Sequence, residues 1–160
     1  MRRALLAAAA ALTLAGCGAP ATSNDGTGGT GTGASQEGPG STGVQQIRVL
    51  ADESLRKAFD QVETSFEQRN PQAEVVLTYG EGIDLARQIT DGQPAEVFVT
   101  EDPSAMATVT GFGKAAGEAE TFAGGLLRIV AVSDAGASFV TFVREGDGLR
   151  VLTDTGVLRP

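Results

Sequence analysis

The chain has 160 residues, 12 basic against 20 acidic, and a formal net charge of −8. One cysteine and no histidine exclude an intrachain disulfide, the Ser/His and Cys/His catalytic arrangements and the commonest zinc ligand. The acidic balance speaks against nucleic acid and anionic membrane surfaces as partners, and the reading is of a non-enzyme.

The first residues are MRRALLAAAAALTLAGCGAP. Arg2 and Arg3 supply positive charge, and Ala4 to Leu14 form an apolar run too short to cross a hydrocarbon core of ~30 Å. Ala15, Gly16 and Cys17 close the segment as small, small, cysteine. This is the pattern of a bacterial lipoprotein signal peptide over 1–16, with cleavage before Cys17 and lipid on its thiol. The protein is then extracytoplasmic and tethered to the cell membrane without spanning it. Cleavage leaves 10 basic and 20 acidic residues, a net charge of −10. Residues 17–46 are dominated by Gly, Ser and Thr, show no apolar period, and read as a flexible linker. One domain follows over 47–160.

Within it, IRVLA (47–51) reads as a buried strand. Leu55, Phe59, Val62 and Phe66 recur at helical spacing, with Ser54 as a candidate N-cap, and the helix stops at Asn70-Pro71. AEVVLTY (73–79) is a strand, and DLARQITDG (84–92) is a helix ended by Gly92. AEVFVT (95–100) is a strand, and Asp102-Pro103 opens the next helix. GGLLRIVAV (124–132) is a strand, and two short helices finish the chain, with Phe139, Phe142, Leu149 and Leu152 as their apolar faces. Alternation of continuous apolar strands with helices predicts an α/β fold: a three-layer, open, mostly parallel sheet with helices on both faces. Ligands of such sheets bind at the carboxyl ends of the strands, here the loops ADES, YGEGID and TEDPSA.

The ordered motifs IRVLADESLRKAF, VVLTYGEGIDLARQITDGQPAEVFVTEDPSAM and FAGGLLRIV carry a resemblance. So does the closing AGASFVTFVREGDGLRVLTDTGVLRP. They resemble the first lobe and return segment of the periplasmic molybdate-binding proteins. These are the solute receptors of molybdate ABC importers, with the type II periplasmic binding fold. The resemblance implies a molybdate or tungstate ligand, an ABC permease as partner, no cofactor and no catalysis. A monomer is expected. Against the family, LLRIV runs directly into AVSDAGASFV, so a segment of about a domain's length, the second lobe, is missing at that point.

By the same resemblance Ser54 matches a serine that holds the anion, and Gly82 stands where a second ligand serine is usual. Asp52 and Glu53 stand where the family has small residues, and Glu81 precedes Gly82. Two readings of these acids stand. They are helix-start residues favoured by the helix dipole, or Asp52, Glu53 and Glu81 converge on a cationic solute. Thr100, Glu101 and Asp102 read as capping and loop residues. No resident metal is implied beyond the molybdate oxyanion itself. The expected function is a molybdate-binding importer component with weak binding, the alternatives being a cell-surface interaction module or a ligand-free remnant.

Overall fold

The computed structural model describes residues 43–122 and 126–158. The signal segment, Cys17 and the linker up to residue 42 lie outside the described residues. Strand β1 runs Gln45–Asp52, so the last two residues assigned to the linker are paired in the sheet, in register with Ala73 and Glu74 of β2 (Ala73–Gly80). Helix α1 (Arg56–Arg69) connects them. Helix α2 (Gly82–Thr90) leads to β3 (Val97–Thr100) and α3 (Pro103–Gly111). Two strands follow, β4 (Glu120–Thr121) and β5 (Arg128–Ala131), then helices α4 (Ala137–Arg144) and α5 (Gly146–Asp154).

The sheet order is β2-β1-β3-β5-β4, with β1 parallel to both β2 and β3. Side-chain alternation along the central strands divides the core into two layers. Val49, Ala51, Val97, Val99 and Ile129 face Phe59, Val62, Phe66 and Phe139 of α1 and α4. Leu50, Phe98 and Val130 face Leu85, Ile89, Met106 and Val109 of α2 and α3. Both faces of these strands are covered, which is why their sequences are continuous apolar runs rather than alternating ones.

Strand β5 supplies the antiparallel part of the sheet. It pairs antiparallel with β3, Val97 opposite Ala131 and Thr100 opposite Arg128, and antiparallel with β4. The crossover after α3 delivers the chain first to the two-residue edge strand β4, which the sequence reading omitted. The chain then reverses into β5. An antiparallel pair can be joined by a short connection, whereas a parallel pair needs a long crossover. β5, with the apolar side chains, takes the inner position; β4, with Glu120 and Thr121, takes the edge. The fold is the expected α/β open sheet, parallel across β2, β1 and β3 and antiparallel at β5 and β4.

The closing helices meet the expectation in part. Phe139 and Leu152 are fully buried, Phe142 is half-buried against Phe66, and Leu149 is exposed.

Candidate functional site

β1, β2 and β3 all end at the same edge of the sheet, so the loops that follow them converge. Between them lies an open cleft of about 430 Å³. Asp52, Glu53, Ser54, Gly80, Glu81, Gly82, Ile83, Glu101 and Asp102 line it. Five of these are acids and none is basic. The sequence-assigned residues Ser54, Gly82, Asp52, Glu53 and Glu81 are thus brought together, as the carboxyl-end rule expects.

Glu53, Glu81 and Asp84 do stand at helix starts, but Asp52 and Ser54 have other partners. Asp52, the last residue of β1, is nine-tenths buried. Its Oδ2 accepts from the Thr100 hydroxyl at 2.8 Å and from the Glu101 N–H at 2.7 Å. Its Oδ1 is buried without a partner. Asp52 therefore serves the β3–α3 loop, not the helix that follows it in sequence. Ser54 lies in a short 3₁₀ turn, Glu53–Leu55, ahead of α1 and caps nothing. Its hydroxyl donates instead to Glu101 Oε2 at 2.8 Å.

Glu53 forms a two-point pair with Arg56, both bonds at 2.7 Å. The guanidinium holds its carboxyl below the usual carboxylate range. Asp102 caps α3 by accepting from the Ser104 N–H at 2.7 Å, as the Asp-Pro pattern predicts. Glu81 is the N-cap residue of α2 without a capping side-chain bond, and Asp84 pairs with Arg87 at 3.0 Å. Asp52, Glu53, Asp84 and Asp102 thus have separate partners, and among the described residues no group of three or more acidic, His or Cys side chains is placed to hold a metal ion. Gly82 and Ile83 open α2, where backbone N–H groups have no intrahelical acceptor.

Two residues at this edge escaped the sequence reading. Arg128 begins β5, and because β5 is antiparallel it lies beside Thr100, with Nη1 3.4 Å from the Glu101 carbonyl oxygen. Tyr79, near the end of β2, donates to Asp60 Oδ1 at 2.7 Å and lies under the Arg56 guanidinium, 4.2 Å from the ring centroid. Burial, then the bond to Asp60, raises the Tyr79 phenol far above its ordinary value of 10.0. Because the folded value lies above the unfolded one, this stabilisation is full below about pH 10 and declines as pH rises toward the folded value. Tyr79 is the chain's single tyrosine. Tyrosinate absorbance is therefore expected to appear only at a pH well above 10, and earlier in Asp60→Asn. A titration near the ordinary value in the unmodified chain would contradict the geometry.

A family model described as bacterial extracellular solute-binding protein matches residues 47–157. The chain belongs to this family. Among the chain's relatives, the molybdate-binding protein ModA of Mycobacterium bovis is 35% identical over 100 residues, 62% of this chain and 38% of the relative. The ModA of Haemophilus influenzae is 34% identical over 55 residues, 34% of this chain and 22% of the relative. The chain thus spans about two-fifths of the Mycobacterium relative and less of the other. Among solved structures, the periplasmic molybdate-binding protein of Azotobacter vinelandii overlaps with a TM-score of 0.44 at 22% identity. That overlap covers 47% of this chain and 32% of the other.

Proposed function

We propose that this chain is the solute-binding component of an ABC importer of the molybdate type. In this reading it is lipid-anchored through Cys17 outside the cytoplasm, works with a permease, and in its present form holds oxyanions weakly. The family membership and the ModA relatives support the first part. One observation carries the second: two donors at the cleft, the Ser54 hydroxyl and the Glu101 amide, are already given to the protein's own carboxylates. The Ser54 hydroxyl serves Glu101, and the Glu101 amide serves Asp52. Gly82 offers no hydroxyl. An incoming dianion meets acids on every loop of the cleft, and at ~4 Å each unit-charge pair is worth roughly 4 kcal/mol of repulsion at an effective dielectric of ~20. An open cleft also leaves the anion in competition with water for every hydrogen bond.

Calorimetric titration of the full-length chain with sodium molybdate tests this. The expected dissociation constant is weaker than about 100 μM, or ~5.5 kcal/mol of binding free energy. Submicromolar affinity would overturn the weak-binding reading. The anchor has its own test. Cys17→Ser is expected to release the chain from the membrane fraction or block its processing, since the apolar run is too short to anchor it alone. An unchanged membrane fraction would contradict lipidation.

A further inference from the structure

The buried carboxylate of Asp52 and the missing side chain at position 82 occupy one space. A Cβ on Gly82 would stand 2.4 Å from Asp52 Oδ1 and 2.6 Å from Thr100 Oγ1. Neither contact can persist, because real Cβ atoms do not approach other heavy atoms so closely. Nor is the carboxylate free to swing away. Oδ2 is held by the Thr100 hydroxyl and the Glu101 N–H, and Thr100 Oγ1 in turn accepts from the Asp102 N–H at 3.0 Å. A side chain at 82 and a carboxylate at 52 therefore exclude one another. Oδ1, the atom facing Gly82, is buried and has no hydrogen-bond partner. An unpartnered buried oxygen of this kind is costly to stability, so folding alone does not account for a carboxylate here.

We propose that Asp52 is the specificity-determining residue of this cleft and that it works by standing in for an anion. Its carboxylate takes the hydroxyl and amide donors that end β3 and forces glycine at the first position of α2. It also leaves negative charge at the floor of the cleft. Tetrahedral oxyanions are refused first by this residue. Glu53 matters less because Arg56 neutralises it, and Glu81 less because it is exposed. Asp52→Asn keeps the shape and the accepting oxygen but removes the charge and places an N–H donor where Oδ1 has no partner. Replacing the carboxylate by alanine removes the nearer contact and releases the Thr100 hydroxyl, which can then turn away from a side chain at 82.

This inference rests on the oxyanion reading above. The test uses four full-length chains: the parent, Asp52→Asn, Gly82→Ser, and Asp52→Ala with Gly82→Ser. Each is titrated calorimetrically with sodium molybdate at constant ionic strength and melted by circular dichroism. Gly82→Ser alone is expected to melt several degrees below the parent and to bind no better. The double variant is expected to melt above Gly82→Ser, though below the parent because the Thr100 hydroxyl and the Glu101 N–H lose their acceptor, and to bind molybdate at least tenfold tighter than the parent. Asp52→Asn, which is expected to fold whether or not the double variant does, is also expected to gain tenfold. A weakly binding parent together with a folded Asp52→Asn that gains nothing would overturn this inference alone. Gly82→Ser that melts like the parent would overturn it too, by showing that the two positions do not compete. A submicromolar parent would overturn the weak-binding reading and this inference together.

Discussion

Phe139→Ala is expected to destabilise the fold by about 3–5 kcal/mol, the usual cost of truncating a buried phenylalanine. Its melting temperature is expected to fall by more than about 10 °C. The side chain is fully buried. It lies edge-on to Phe66 of α1, with ring centroids 5.1 Å apart, and tilted on Phe59 at 6.5 Å. Removing it opens a void between α1, α4 and the face of the sheet formed by Val97 and Ile129. Phe142→Ala, on the same helix but half-buried, is expected to cost clearly less. Equal losses for the two would mean that α4 does not pack on the sheet through Phe139. The comparison also tests whether the segment after β5 completes the core on this face of the sheet.

Glu96→Ala is expected to cost about 2–4 kcal/mol, read as a lower urea midpoint at unchanged slope. The β1–β3 ladder begins at Val49 opposite Val97. One residue earlier, the acceptor for the Arg48 backbone N–H is the Glu96 carboxylate, at 2.7 Å. The same carboxylate takes Arg48 Nε at 3.1 Å and Nη2 at 2.7 Å. Alanine leaves that backbone N–H without its acceptor and the guanidinium unpaired. The Arg48 side chain is 41% exposed, so water recovers part of the loss, and the figure sits below that for a fully buried ion pair. Glu96→Gln, which can still accept from the backbone, is expected to lose less. If the glutamine and alanine variants were equally unstable, the ladder-extending bond would not be the source of the effect.

The layers of the fold were legible because burial writes itself locally. Leu50 and Val49 are adjacent in sequence and face opposite cores, so the stretch Val49–Ala51 of β1 is apolar on both faces. Asp102-Pro103 announced α3 because a cap and its helix lie within one turn. The direction of β5 was not legible, since an apolar run looks the same in either orientation. Arg128 was therefore not placed beside Thr100 at the end of β3. The roles of the acids were hidden for a related reason. Sequence alone links Asp52 to the helix just after it, whereas its partners Thr100 and Glu101 lie 48 and 49 residues away. The position of the cleft was readable from the strand ends. What fills its donors was set by pairings between strands that only the folded chain brings together.

Amide NMR of the full-length chain titrated with sodium molybdate tests the occupied cleft most directly. The Glu101 amide is expected to stay in place, held by Asp52, and no amide of Ser54, Gly82, Ile83 or Glu101 is expected to saturate below about 100 μM. A joint, saturating shift of the Ser54, Gly82 and Glu101 amides at submicromolar molybdate would contradict it. That result would mean the anion displaces the Asp52 carboxylate from donors that the structure assigns to it.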